Sequence, residues 1–116
     1  MEIAQREDAK LFKISDNAIS YKYPTNNKDI NIAYVEINGR YPDTGYCLNK
    51  ICTETCYVIE GNGKFHINDM EYEISKGTVI LINPGELYYY EGNLKLCVPC
   101  TPAWTKDQHE KVLVKK

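Results

Sequence analysis

Ten short segments rich in Tyr, Ile, Val and Phe, each closed by Gly, Pro, Asn or Asp, are what most limits the folds open to this chain. Strands are expected at 10–14, 18–23, 30–37, 46–51, 53–59, 64–68, 70–74, 78–82, 86–91 and 94–98. The breaks carry turn chemistry: Ser15-Asp16-Asn17, Pro24-Thr25-Asn26-Asn27, Asn38-Gly39, Gly61-Asn62-Gly63, Lys76-Gly77, Pro84-Gly85 and Gly92-Asn93. So many short strands in one unit must share a sandwich or a barrel, because each has one apolar face to bury. The expected fold class is all-β. Thr105-Lys106-Asp107-Gln108 has the spacing of a capping box and predicts one short helical turn near the C-terminus, cut off by the β-prone Val112-Leu113-Val114.

A chain of 116 residues holds one core, so residues 1–116 are read as a single domain, with 1–9 a flexible or swapped N-terminal arm. Fourteen Lys and Arg stand against 16 Asp and Glu, a net charge of −2 with no basic excess to attract nucleic acid or an anionic membrane surface. Residues 1–8 are charged and lack a following apolar run, and no stretch approaches the roughly 18 apolar residues of a membrane span. A cytoplasmic location is therefore expected, and with it five reduced cysteines, Cys47, Cys52, Cys56, Cys97 and Cys100. Cys97 and Cys100 have redox or zinc spacing but continue the alternating run Leu94-Lys95-Leu96. On a strand their α-carbons stand roughly 10 Å apart on opposite faces, too far to bridge.

If Gly61-Asn62 is a two-residue turn, Val58 faces Phe65 and Cys56 faces Ile67 across a hairpin. Glu54, Cys56, Val58, Phe65 and Ile67 then share one face, and Tyr57, Ile59, Lys64 and His66 the other, with His66 paired to Tyr57. Glu54 is the one charge on the apolar face, and a carboxylate there needs a hydrogen bond, a counter-ion or a ligand unless it reaches solvent at the strand start.

The runs 54–63 and 76–85 resemble the two motifs of the cupin superfamily. The first motif there reads Gly, five residues, His, one residue, His, three or four residues, Glu, six residues, Gly; Glu54 and Gly61 fit its last two positions. The second reads Gly, five residues, Pro, one residue, Gly, two residues, His, three residues, Asn; Gly77 and Gly85 fit, with Pro84 displaced by one. The likeness covers about half the chain, 41–93, and implies a small single-domain cupin: a double-stranded β-helix, or jelly-roll barrel. In that family two His, a Glu and a third His bind a divalent metal. Here those positions hold Cys47, Asn49, Glu54 and Tyr88, a degenerate set that suits no single divalent metal. No cofactor is expected; zinc through Cys47 and Glu54 is the alternative.

Ten tyrosines accompany only two histidines. Alternation through Glu86-Leu87-Tyr88-Tyr89-Tyr90-Glu91 puts Tyr88 and Tyr90 on one face, which the resemblance turns into the barrel. Cys47, Asn49, Glu54, Tyr88 and Tyr90 are accordingly the candidate ligand-binding residues, with Cys56, Val58, Phe65 and Ile67 as apolar wall. His66 reads as a surface residue and His109 as a helix-end residue. The leading functional reading is a domain that binds a small molecule in the barrel without metal. One alternative is a metal-independent isomerase or epimerase of a sugar or hydroxy-carbonyl compound, with Glu54 as catalytic base and Tyr88 or Tyr90 as acid. The other is a structural or interaction protein whose barrel is filled by its own side chains. Outward Tyr57 and Ile59, with part of Val79-Ile80-Leu81-Ile82, provide a surface for a homodimer.

Overall fold

Alternation of apolar and polar residues organises nine strands, which the computed structural model, describing residues 1–113, joins into one curled antiparallel sheet. They are β1 (Lys10–Ser15), β2 (Ala18–Lys22), β3 (Asn31–Tyr41), β4 (Tyr46–Asn49), β5 (Thr53–Ile67), β6 (Met70–Ser75), β7 (Val79–Ile82), β8 (Tyr88–Thr101) and β9 (His109–Val112). The sheet runs β1-β2-β3-β8-β4-β9, and β5 lies along the other edge of β8 with β6 and β7 beyond it. The core is the inner face of this curl, where Val35, Ile37, Val58, Phe65, Leu94 and Leu96 are buried. The all-β expectation holds. Among the described residues no helix is long and apolar enough to cross a membrane.

The expected segments 53–59 and 64–68 are one strand, β5, and 86–91 and 94–98 are one strand, β8. Gly61-Asn62 is therefore not a hairpin turn. The two long strands pair with each other from Thr53↔Thr101 to Ile67↔Tyr88. Val58 pairs with Leu96 and Glu60 with Lys95, so Ile59 is an extra residue, a bulge that reverses the side-chain parity of everything after it. Glu54, Cys56 and Val58 point inward before the bulge, and Phe65 does so after it. The face assignment drawn from a hairpin is thus reproduced by a bulge. The partners differ: His66 lies opposite Tyr89 and Glu71, while Tyr57 lies opposite Val79 and Cys97.

Glycines expected in three separate turns lie side by side. Gly92 of β8 lies between Gly39 of β3 and Gly63 of β5, paired with each across the sheet. A Cβ on Gly63 would stand 2.2 Å from the Glu91 carbonyl oxygen, and one on Gly92 2.6 Å from that of Asn62. Along this row the strands approach more closely than any side chain permits, which lets the sheet fold across it.

Cys97 and Cys100 both lie within β8, Cys100 buried inward and Cys97 half-buried, and all five thiols are free. The expected helical turn is a single 3-10 turn, Lys106–Gln108, without a side-chain cap from Thr105. Strand β9 follows it and pairs with β4, placing His109 opposite Asn49. Long-range pairing overrides local propensity there; Val114 lies outside the described residues. In the N-terminal segment Arg6–Asp8 form a 3-10 turn, and the Arg6 guanidinium sits 3.8 Å above the Tyr21 ring.

Candidate functional site

Inward positions of β2, β3, β5, β8 and β9 surround a cavity of about 540 Å³, which extends from buried Glu54 to exposed Phe12 and Lys106. Most of its wall is apolar, supplied by residues such as Val35, Ile37, Leu96 and Val98.

Glu54 is placed by the inward parity of β5, opposite Ile82 and Cys100. Its Oε2 accepts a long hydrogen bond from Cys100 Sγ at 3.5 Å. Burial pushes its pKa up, against the opposing influence of Cys100, Asn49, Tyr88 and the Lys22 charge. Tyr88 and Tyr90 follow from the parity of β8. The Tyr88 ring stacks against Phe65 at 5.7 Å, Tyr90 packs 4.8 Å from the same ring, and the Tyr90 hydroxyl lies 2.8 Å from Cys56 Sγ. Burial drives both phenols well above their ordinary range, so they stay protonated.

Asn49 is fully buried and serves as a hub. Its Oδ1 accepts from Trp104 Nε1 at 3.2 Å and Gln108 Nε2 at 3.0 Å, and lies 2.8 Å from His109 Nδ1. Two of these partners can only donate, which orients the amide and makes His109 Nδ1 the protonated ring nitrogen. His109 Nε2 is then an acceptor, 3.3 Å from the Tyr41 hydroxyl, which donates to it. Burial first, then the charges of Lys111 and Lys22, hold the His109 pKa down to about 4, so the imidazole is neutral at physiological pH. The Asn49 Nδ2 group is buried without a hydrogen-bond partner; the Asn49 side chain acts on Glu54 to favour its charged form.

Of the candidate ligand-binding residues, Glu54, Tyr88 and Tyr90 are on the cavity wall, together with Cys56. Cys47 and Asn49 are behind it. Cys47 pairs with Tyr88 across the strands and turns its thiol to the Tyr88 carbonyl oxygen at 3.7 Å, and burial pushes its pKa to about 12. Val58, Phe65 and Ile67 also lie outside the lining. His109, expected at a helix end, instead opens β9 and lines the cavity. Lys22, Tyr41 and Trp104 line it too, without having been singled out from sequence. For Lys22 a signal existed: Ala18, Ser20 and Lys22 alternate on one strand, and the first two are buried. His66 is elsewhere, stacked on Tyr89 at 4.8 Å with the rings 9° apart. Among the described residues no three His, Cys, Asp or Glu are grouped to hold a metal ion.

Residues 53–93 match the family model of the AraC-like ligand binding domain. Sequence comparison with curated proteins finds no match. Solved structures share the whole architecture. A Streptomyces Pac13 variant with uridine superposes with a TM-score of 0.88 at 16% identity, covering 100% of this chain and 93% of that one. Pac13 is described as a nucleoside dehydratase. The polyketide cyclase RemF from Streptomyces resistomycificus gives 0.75 at 17% identity, covering 100% and 88%. Ectoine synthase from P. lautus gives 0.72 at 15% identity, covering 100% and 93%. At these identities the likeness is one of fold: this chain has the cupin-type jelly-roll barrel.

Proposed function

We propose that this barrel binds a small organic molecule in its interior without a metal, Glu54 and Tyr88 being the polar groups at its inner end. The observation that carries this reading is the cavity itself, a mostly apolar space of about 540 Å³ with one carboxyl, Glu54, and four phenols, those of Tyr23, Tyr41, Tyr88 and Tyr90, on its wall. That volume lies in the range of small-molecule sites and speaks against a filled structural barrel. The match to a ligand-binding domain family over 53–93 supports the same class.

The donor set does not fit a divalent ion. Cys47 is a buried thiol turned to a backbone carbonyl, Asn49 Oδ1 is taken up by Trp104, Gln108 and His109, and Tyr88 stays a neutral phenol. Protein purified without added metal should carry less than about a tenth of an equivalent of zinc, iron, nickel or manganese by elemental analysis. Stoichiometric metal overturns the metal-free reading. Native mass spectrometry of gently purified protein should reveal a co-purifying small molecule. Glu54→Gln is expected to weaken its binding about tenfold, on the order of 1.4 kcal/mol; an unchanged affinity removes Glu54 from the site.

A second reading, acid–base catalysis, is favoured by the opposed environments of Glu54 and His109. The acid and base assignments of an enzyme are set by such divergence. Glu54, with its raised pKa, suits a proton donor better than the base expected from sequence, and neutral His109, reached through the Tyr41 hydroxyl that donates to its Nε2, suits the base. Pac13, a nucleoside dehydratase of this shape, is an example of a reaction that such a barrel carries. A dehydration or a hydroxy-carbonyl isomerisation needs that pairing. Turnover of the co-purifying compound that survives His109→Gln and Glu54→Gln unchanged excludes it.

Tyr57, Ile59, Val79 and Leu81 leave an apolar patch exposed on the outer face of β5 and β7. We take this patch to be a homodimer surface. Sedimentation at micromolar concentration should give a dimer, and Tyr57→Lys should convert it to a monomer; a wild-type monomer contradicts the assignment.

A further inference from the structure

The chain is weakly acidic, yet its cavity is not. Four of the lining residues are lysines, Lys13, Lys22, Lys106 and Lys111, and Glu54 is the one carboxylate among them. Four ammonium groups against one carboxyl make the field inside positive, and burial pushes that carboxyl's pKa up.

Two of the lysines are already engaged. Lys13 pairs with Asp16 at 3.6 Å, and Lys111 donates to the Ile14 carbonyl oxygen at 2.7 Å. Lys22 and Lys106 have no carboxylate within ion-pair distance among the described residues. Lys22 occupies the inward parity of β2, after buried Ala18 and Ser20, where an apolar residue would ordinarily stand. Its ammonium is held 3.5 Å above the Trp104 ring and 5.1 Å from that of Phe12. It is half-buried and feels the like charge of Lys106, and both effects lower its pKa, against the smaller opposite influence of Cys100 and Glu54. Two cations brought together at a cavity, one of them fixed by aromatic rings, repel each other until an anion lies between them.

From this juxtaposition we infer that the ligand is an anion, whose carboxylate or phosphate group lies between Lys22 and Lys106 while its uncharged body extends toward Glu54 and Tyr88. This rests on the barrel-ligand reading for the body and on the lysine pair alone for the charged group. The two lysines act as point charges and serve either oxyanion, so the source of the charge is left to the test.

The probes are inorganic phosphate and acetate, compared with chloride at equal ionic strength and pH 7, and read as the shift in melting temperature of the full chain. At about 10 mM, phosphate or acetate should raise the melting temperature by at least about 2 °C over chloride. Phosphate acting alone indicates a phosphorylated ligand, and acetate acting equally well a carboxylate. Lys22→Gln and Lys106→Gln should each abolish the shift measured against its own chloride baseline. Lys76→Gln, the same charge change at a lysine outside the cavity lining, should preserve it. Equal behaviour of all three anions, or a shift that survives both cavity variants, overturns the inference. Native mass spectrometry separates this inference from the reading beneath it. A neutral co-purifying molecule overturns the anion and leaves the barrel site standing. A Lys22-dependent phosphate shift with nothing ever seated against Glu54 does the reverse.

Discussion

Gly61→Ala is expected to cost about 4 kcal/mol or more, enough to unfold a domain of ordinary stability, whereas Gly77→Ala should cost only about 1 kcal/mol. Both glycines have positive φ, 97° and 92°, so the strain of placing an L side chain in the left-handed region is common to the two substitutions. They differ in what the new methyl meets. At Gly77 nothing stands within 4 Å; at Gly61 the Cβ would be 1.9 Å from the Asn93 carbonyl oxygen and 2.9 Å from its carbon. Those atoms belong to β8, and β8 cannot retreat, because Gly92 and Gly63 hold the same two strands in equally close approach one step further on. Urea unfolding of the two variants beside wild type measures the difference. If Gly61→Ala falls within about 1 kcal/mol of Gly77→Ala, the close crossing of β5 and β8 is not what shapes this sheet.

The same glycines explain how far the fold was legible. Alternating apolar residues identify an all-β chain because the period of two is a local property of each strand. A glycine has two uses, in a turn or where another backbone comes too close for a side chain, and the sequence does not distinguish them. Gly61 and Gly92 stand in expected turns, yet they serve the second use. The inward faces of β5 survive that error because the bulge at Ile59 and the imagined hairpin both reverse parity once.

The site divides along the same line. Glu54, Tyr88 and Tyr90 reach the cavity by local alternation within β5 and β8, so spacing located them. His109 reaches it because β9 pairs with β4, a chain segment 60 residues earlier by the Asn49↔His109 register, and no local feature announces that pairing. Lys22 is an intermediate case: its parity is local, but a lysine on an inward position reads as a strand end until Trp104 and Phe12 are seen around its ammonium. Asn49 took its place from the family pattern. The structure gives it a different task, holding Trp104, Gln108 and His109 on one oxygen.

That task sets up a second large effect, in the pH dependence of stability. His109 titrates near 4 in the folded chain against an ordinary 6.5, so below 6.5 the unfolded state binds a proton that the folded state refuses. Its contribution is complete above pH 6.5 and is lost as pH falls toward 4, by about 3 kcal/mol in all. Glu54 works the other way. Its folded pKa is raised above the ordinary 4.5, so the folded state keeps a proton that the unfolded state releases. That contribution is complete below pH 4.5 and is lost as pH rises through the folded value. Where the two ranges overlap, from about pH 4.5 upward, the slopes oppose each other, and wild type should show a shallower dependence there than either variant below. Glu54→Gln should expose the histidine slope, with stability falling on acidification. His109→Gln should expose the carboxyl slope, with stability falling as pH rises. Exposed carboxylates contribute alike to all three proteins, so differences between the curves isolate the pair. Urea midpoints measured at half-unit steps from pH 4.5 to 7.5 provide the comparison. Parallel curves for the two variants would mean that Glu54 and His109 are not held in opposed protonation states at this cavity.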